Sequence, residues 1–150
     1  SLMMPTEIVT TIQEGCKVNI ILVNNHGYAS IGSLSSSLGT SGFGTSYRMR
    51  DPRTGKLEGD FLPLDFAANA RGFGAVTYEP HTLAEFKDAL AQAKTADRTT
   101  LIVVHTDNSL KVPGYESWWD VAIAEVSEID EVQQARKEYE QQIKQERYYF

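Results

Sequence analysis

The stretch VNIILVNNHGYASIGSL, residues 18–34, decides the fold and raises the question of what the protein binds. It opens on an almost unbroken apolar run, which favours a strand that is buried on both faces, as in parallel sheets. It then passes through Asn24, Asn25, His26 and Gly27 into a segment rich in glycine and serine. Residues of this kind form turns readily, but they can also line a site at the end of a strand.

Helices and strands alternate on either side of this stretch. A predicted helix precedes the apolar run at residues 17–23, with Pro5 in its first turn and Gly15 at its end. Further patterns predict helices at 64–71, 83–93 and 128–147, the second with Thr82 as its N-cap and Glu85 three residues on. They also predict strands at 75–78 and 99–105 and a long irregular segment at 29–62. The alternation indicates an α/β fold, a parallel sheet with helices on both faces. In such a sheet the first strand is normally central, and ligands bind at the carboxyl ends of the strands.

Composition narrows the class of protein. The chain has 150 residues, enough for one domain with a core, and its net charge is −6. This acidic balance argues against a nucleic-acid or anionic-membrane partner, which would require a basic face. A single cysteine, Cys16, excludes an internal disulfide and fits a reducing compartment such as the cytoplasm. No run of residues approaches the length of a membrane span.

Asn25 and Gly27 lie where the first strand should end, and therefore at the expected ligand edge of the sheet. An asparagine side chain offers a neutral oxygen, and Mg²⁺ prefers oxygen ligands in an octahedron. That oxygen and a backbone carbonyl two residues further on could hold the ion beside a diphosphate, and glycine would let the backbone approach closely. On the residues alone, a plain turn remains the simpler interpretation.

The wider context resembles the second half of the cofactor motif of thiamine-diphosphate enzymes. MMPTEIVTTIQEG looks like the helix of that motif, and NIILVNNHGY looks like its strand and strand end. The resemblance implies that Asn25 supplies a side-chain ligand to Mg²⁺, that Gly27 supplies a backbone carbonyl, and that Tyr28 is a candidate cofactor-binding residue. The Gly-Asp-Gly triplet of the family, whose aspartate supplies another ligand, would fall before Ser1. We therefore expect a thiamine-diphosphate-binding fold that is truncated at its N-terminal strand.

A closer resemblance extends over nearly the whole chain. NNHGYASIGSLSSSLG, FGTSYRMRDPRTGKLEGDFLPLDFAANARGFG and VPGYESWWDVAIAEVSE are similar to the C-terminal part of the trihydroxycyclohexane-1,2-dione hydrolases, the ring-opening enzymes of myo-inositol catabolism. The paired tryptophans in ESWWDV are the most specific piece. The resemblance implies that residues 1–150 are a fragment of the C-terminal diphosphate- and Mg²⁺-binding domain of a larger, multi-domain enzyme.

The reaction is implied by this resemblance alone. It would be carbon–carbon bond cleavage of trihydroxycyclohexane-1,2-dione to 5-deoxyglucuronate, with thiamine diphosphate and Mg²⁺ as cofactors. In the family, a glutamate of the pyrimidine-binding domain, usually from a partner subunit, activates the cofactor, and the intact enzyme self-associates through those domains. No residue of this chain matches that glutamate. We therefore assign no catalytic residue and expect the chain alone to be inactive.

Other polar and aromatic residues have plainer explanations. His26 occupies the variable position of the motif and is expected in a solvated or supporting role, and Tyr28 could simply pack against the loop. His105 ends the third strand at the ligand edge, where a structural histidine is the simpler expectation. We expect surface positions, rather than contacts with substrate or a neighbouring subunit, for Arg48, Arg50 and Arg53. Trp118 and Trp119 are expected to anchor a contact between domains or subunits rather than to bind a sugar.

Two other functions stay open. The chain could belong to a thiamine-diphosphate enzyme of the acetolactate-synthase type, against which only the resemblance argues. It could also be a non-catalytic α/β interaction module, in which Asn24 and Asn25 form an ordinary turn and the C-terminal helix binds a partner. Such a module should fold alone as a stable monomer, whereas a fragment with an open sheet edge should be marginally stable or should self-associate.

Overall fold

A computed structural model describes residues 5–40, 42, 44–108, 110 and 120–147. The described residues form two compact units, the first from residues up to 25 and 63–107, the second from 26–62 and from 108 onward. The elements are α1 (Glu7–Gln13), β1 (Asn19–Asn24), α2 (Ala29–Ser37), α3 (Phe66–Gly72), β2 (Val76–Tyr78), α4 (Leu83–Thr95), β3 (Thr100–His105) and α5 (Asp130–Ile143). The predicted contacts of Trp118 and Trp119 fall outside the described residues.

The first unit is a parallel sheet with helices, as the sequence predicts, and β3 is its central strand in the order β1-β3-β2. β3 pairs in parallel with β1, from Asn19 opposite Thr100 to Asn24 opposite His105, and with β2 on its other side. Successive residues of a strand face opposite sides, so α1 and α3 pack on one face of β3 and α4 on the other. The core includes Ile8, Ala67, Ala70, Leu101 and Val103 on the first face and Ala89, Ala93 and Ile102 on the second.

β1 lies at an edge of the three described strands, and the prediction that it is buried on both faces is wrong. Ile20 and Leu22 pack against the core beneath α1 and α3, whereas Ile21 and Val23 are 48 % and 58 % exposed. The physical reason is the position of α4, which packs against Ile102 of β3, one strand away from β1. The apolar run therefore predicted the strand correctly but not the exposure of its second face.

α1 ends as its sequence predicts, at a glycine. Gly15 has a φ of 64°, in the left-handed region that glycine adopts without strain. Its N–H donates to the carbonyl of Ile12 at 3.2 Å, and the next N–H, that of Cys16, donates to the carbonyl of Thr11 at 2.8 Å. This pair of hydrogen bonds satisfies carbonyls at the end of the helix and turns the chain toward β1.

The second unit contains α2, so the prediction that residues 29–62 are irregular throughout is wrong for 29–37. The sequence ASIGSLSSS has weak helix propensity because it is rich in serine and contains a glycine, which is why the composition suggested a loop. Two serine hydroxyls bond back to carbonyls of the same helix, Ser36 to Gly32 and Ser37 to Leu34, each at 2.7 Å. These hydroxyls thus bond to carbonyls of their own helix, a pattern that serine adopts inside helices.

α5 is also present as predicted, though shorter than the expected 128–147. Its Val132 is buried, and the backbone of Gly39 approaches the helix so closely that a Cβ on Gly39 would lie 2.6 Å from the carbonyl carbon of Glu131. Tyr139 donates a hydrogen bond to Asp120 at 3.0 Å. Neither α5 nor any other described helix combines the length and apolar character needed to cross a membrane.

We expect Thr82→Ala to lower the free energy of unfolding by about 1 kcal/mol. Thr82 is the N-cap of α4, as the sequence predicts, and its hydroxyl accepts a hydrogen bond from the N–H of Glu85 at 3.2 Å. The Glu85 carboxylate in turn accepts from the N–H of His81 at 2.8 Å, which lowers the pKa of Glu85. Urea denaturation measures the loss, and Thr82→Ser, which keeps the hydroxyl, is the control. Equal losses in the two variants would refute this role of the hydroxyl.

Candidate functional site

Asn24 ties the carboxyl ends of β1 and β3 together. It is only 6 % exposed, and its Nδ2 lies 3.4 Å from Nδ1 of His105, the residue opposite it in the sheet. Its carbonyl accepts from the N–H of Thr106 at 3.2 Å and from the Thr106 hydroxyl at 3.3 Å. Asn24 therefore has a structural role, and the contact with His105 agrees with the expectation of a structural histidine.

Asn25 follows this buried residue directly and is the last residue of the first unit. It is half-buried and comes immediately after the carboxyl end of a parallel strand, which confirms the predicted location. This is the edge where ligands bind in open α/β sheets. Its assignment as a ligand of Mg²⁺ stays a prediction.

The second unit opens with a short backbone pairing between residues 26–28 and 45–47. Gly27 and Ser46 form an antiparallel bridge, flanked by two hydrogen bonds. The N–H of Tyr28 donates to the carbonyl of Thr45 at 2.7 Å, and the N–H of Tyr47 donates to the carbonyl of His26 at 2.9 Å. The chain after Asn25 is therefore held by backbone contacts over three residues.

Gly27 is required by this pairing. A Cβ at this position would lie 2.2 Å from the carbonyl oxygen of Thr45 and 3.0 Å from Cα of Ser46. The sequence suggested a glycine so that the backbone could approach a ligand, and the structure shows that it also approaches its own chain. Because both flanking hydrogen bonds belong to residues 26 and 28, the bridge directs the N–H and carbonyl of Gly27 away from Ser46.

Tyr28 packs against the loop, which is the simpler of its two predicted roles. Its ring meets that of Tyr47 edge to face, with 5.5 Å between the ring centroids. A side-chain hydrogen bond with Tyr28, together with burial, raises the pKa of Tyr47 to about 12. Tyr28 is still 42 % exposed, and its role in cofactor binding stays a prediction.

We expect Tyr28→Phe to lower the pKa of Tyr47 from about 12 toward its usual 10.0, because the hydrogen bond to Tyr28 is the largest cause of the shift. A raised pKa means that the folded state favours the neutral phenol. The resulting stability is complete below pH 10.0 and is lost as the pH rises through about 12. NMR titration of labelled tyrosine follows Tyr47 itself, with Tyr78→Phe as the control. An unchanged titration in Tyr28→Phe would contradict the hydrogen bond.

The three arginines of the loop all contact other residues of the same loop. The contacts are Arg48 with the Gly59 carbonyl at 2.8 Å, Arg50 with the Gly55 carbonyl, and Arg53 with the Asp51 carboxylate at 3.0 Å. The hydrogen bond from Arg53 lowers the pKa of Asp51. These contacts agree with the expectation of structural, surface positions rather than contacts with substrate.

Sequence reasoning missed two aromatic residues near the start of the second unit, Tyr47 and Phe61. The Phe61 ring stacks on the His26 ring, with centroids 4.3 Å apart and planes inclined by 20°. The available signal was the presence of aromatic side chains in a segment otherwise rich in glycine, serine and arginine. Which earlier residue each would contact depends on the tertiary fold.

The described residues contain no group of three or more His, Cys, Asp or Glu side chains placed to hold a metal ion. A cation near the end of β1 could be held by neutral oxygens, which Mg²⁺ accepts as ligands. Asn25 and Gly27 offer oxygens of this kind, an amide side chain and a backbone carbonyl.

The first comparison with known proteins is at the level of the family. The family profile described as "Thiamine pyrophosphate enzyme, C-terminal TPP binding domain" matches residues 1–104, that is, 104 of the 150 residues. The matched range includes α1 to α4, β1 and β2, and all of β3 except His105. It therefore includes both Asn25 and Gly27.

Curated relatives match over almost the whole chain. The protein named 3D-(3,5/4)-trihydroxycyclohexane-1,2-dione hydrolase is 43 % identical in Clostridium perfringens (strain 13 / Type A) and 41 % identical in Clostridium botulinum (strain Alaska E43 / Type E3), each over 148 residues. In Bacillus thuringiensis (strain Al Hakam) it is 40 % identical over 147 residues. The alignments cover 98–99 % of this chain but only 23 % of each relative. The profile match shows that this chain belongs to the thiamine pyrophosphate enzymes and carries their C-terminal TPP binding domain.

Proposed function

We propose that this chain is part of a larger thiamine-diphosphate-dependent hydrolase, which opens the ring of trihydroxycyclohexane-1,2-dione to give 5-deoxyglucuronate. The observation that carries the proposal is the identity of 39–43 % to proteins named as this hydrolase. The identity runs over 147–148 residues and so extends past residue 104, where the family profile ends. The similarity thus includes residues that the general cofactor-binding profile does not describe.

In this proposal residues 1–150 are the C-terminal diphosphate- and Mg²⁺-binding domain, or a fragment of it. The alignment covers only 23 % of the relative, which supports the proposal that other parts of a longer chain supply the remaining functions. Those parts would supply the pyrimidine-binding domain, the catalytic glutamate and the self-association of the intact enzyme. We place the enzyme in the cytoplasm and in inositol catabolism.

The donor chemistry of the described residues fits Mg²⁺ and a diphosphate. The side-chain oxygen of Asn25 and the backbone carbonyl of Gly27 are hard, neutral oxygen donors, and Mg²⁺ commonly completes its octahedron with phosphate oxygens, carboxylates and water. Bound there, thiamine diphosphate would supply a carbon nucleophile for cleavage of the carbon–carbon bond. The direction of the Gly27 carbonyl, away from Ser46, supports its assignment as a ligand.

The contribution of this chain is binding and orientation. Asn24 holds the carboxyl end of β1 to the end of β3 through hydrogen bonds, and these bonds fix the backbone just before Asn25. The backbone pairing of residues 26–28 with 45–47 fixes the peptide that carries the second proposed ligand. We assign no acid, base or nucleophile to this chain, and the chain alone is expected to be inactive.

Asn25→Ala in the intact enzyme tests the cofactor site. Even residues that only support metal ligands typically contribute about 10- to 100-fold to metal affinity, so loss of a direct ligand should weaken Mg²⁺-dependent binding of thiamine diphosphate by at least about 10-fold. Isothermal titration of the apoenzyme measures the change. Asn69→Ala, which removes the same side chain from an exposed position of α3, is the matched control and should bind normally. Wild-type affinity in Asn25→Ala would remove Asn25 from the site.

The substrate is tested separately with the intact enzyme. Consumption of trihydroxycyclohexane-1,2-dione, with formation of the open-chain acid, is the expected result. Condensation of pyruvate without reaction of the diketone would instead favour an enzyme of the acetolactate-synthase type. Turnover by the isolated 150-residue chain would contradict its assignment as a binding domain.

A further inference from the structure

Three side chains form a stack in the second unit. The Phe61 ring lies 4.3 Å from the His26 ring, and Cζ of Arg48 lies 4.1 Å from the centroid of Phe61. Arg48 is held in turn by a hydrogen bond of 2.8 Å to the carbonyl of Gly59. A cation over an aromatic face is attracted by the negative charge of that face, so each member of the stack restricts the next.

The backbone segments that carry Arg48 and Phe61 are paired with each other. Arg48 and Phe61 form an antiparallel bridge, which places them opposite each other. The flanking hydrogen bonds run from the N–H of Leu62 to the carbonyl of Tyr47 at 2.9 Å and from the N–H of Met49 to the carbonyl of Asp60 at 2.8 Å. The segment at residues 45–49 therefore pairs on one side with residues 26–28 and on the other with 60–62.

His26 is the member of the stack whose backbone needs support. Its φ is 55°, and among the described residues it is the only non-glycine residue with a positive φ. Side chains other than glycine rarely adopt this conformation, and it persists where the surroundings fix it. The stacked ring on its side chain and the hydrogen bond from Tyr47 to its carbonyl are two such restraints.

We propose that Phe61, in contact with His26 and Arg48, is a positioning residue that holds the His26–Gly27 peptide in the orientation needed for metal binding. This inference rests on the proposed function, because it takes the Gly27 carbonyl as a ligand of Mg²⁺. Phe61 does not touch the ion in this proposal; it fixes the rotamer of His26 and, through it, the strained backbone next to Gly27. Groups that orient metal ligands in this way typically contribute about 10- to 100-fold to metal affinity.

Paired variants of the intact enzyme test the role. Phe61→Leu removes the ring and keeps an apolar side chain, whereas Phe61→Tyr keeps the stacking face. Because Phe61 is 38 % exposed, neither change should unfold the protein. We expect Mg²⁺-dependent binding of thiamine diphosphate to weaken about 10-fold in Phe61→Leu and to be retained in Phe61→Tyr. Arg48→Met, which removes the cation, should weaken binding in the same direction.

Mn²⁺ in place of Mg²⁺ gives a readout that a merely structural role would not change. If Phe61 orients a ligand, the electron paramagnetic resonance spectrum of Mn²⁺ bound with the cofactor should differ between Phe61→Leu and the wild type, even at full occupancy. Identical spectra and unchanged affinity would overturn the inference. Asn25→Ala is the reference: if it loses affinity and Phe61→Leu does not, the positioning role fails and the cofactor site stands. If Asn25→Ala binds normally, the proposed site fails and the positioning role fails with it.

Discussion

Gly27→Ala is expected to lower the affinity of the intact enzyme for thiamine diphosphate and Mg²⁺ by about 10- to 100-fold, the usual effect of disturbing the groups that orient a metal ligand. The methyl group would lie 2.2 Å from the carbonyl oxygen of Thr45 and 3.0 Å from Cα of Ser46. Both neighbours are backbone atoms, so no side chain can turn away to make room. Residues 26–28 or 45–47 must move, and the carbonyl of residue 27 moves with them.

A glycine without close neighbours provides the control. Gly72, at the end of α3, has no atom within 4 Å of an added Cβ and does not have a positive φ. Gly72→Ala should therefore leave cofactor binding unchanged. Titration calorimetry of the two apoenzyme variants makes the comparison. Cofactor binding by Gly27→Ala at wild-type strength would mean that the close pairing with Thr45 does not position the site.

Ile102→Ala should lower the free energy of unfolding of the purified chain by about 2–5 kcal/mol, the usual range for a fully buried isoleucine. Ile102 is 0 % exposed and contacts the buried alanines of α4 from the central strand. Its truncation would leave a cavity that the sheet cannot close, because β1 and β2 hold β3 on both sides. Urea denaturation measures the loss.

The residue paired with Ile102 offers a matched control. Ile21 stands directly opposite it in the register of β1 and β3, yet is 48 % exposed. Ile21→Ala makes the same chemical change and should lower the free energy of unfolding by less than about 1 kcal/mol, since about half of the residue already contacts water. Equal losses at the two positions would show that this face of β1 is buried in solution, as it would be if the chain self-associates.

Local patterns predicted the elements of the first unit to within two residues at each end. The cap at Thr82 and the stop at Gly15 succeeded because each depends on neighbours a few residues away. The predicted burial of β1 on both faces was wrong because an apolar run shows that a strand has two apolar faces, not that both are covered. α2 was missed because its serines and glycine give it weak helix propensity, although two serine hydroxyls bond within the helix.

The residues of the candidate site also differ in whether the sequence alone could predict their roles. Asn25 and Gly27 were found from the strand end and from a resemblance, both of which are properties of a short segment. The contacts of Gly27 with Thr45 and of His26 with Phe61 join residues that are 18 and 35 positions apart, and turn composition says nothing of such partners. Supporting residues of a site are therefore visible only when the chain is folded.

The pairing of β1 with β3 also bears on how the protein folds and how it can change. Asn24 and His105 meet across 81 positions of sequence, so the sheet can close only after a long, unfavourable search, whereas the helices can form from local contacts. The entropic cost of closing the segment depends only logarithmically on its length. Doubling the length therefore raises the free energy of closure by only about 0.6 kcal/mol. Residues 26–62 lie inside it as an insertion between β1 and α3. A change in the length of this segment should therefore carry little entropic penalty for the sheet, so the contacts within the second unit limit its variation more than the closure of the sheet does.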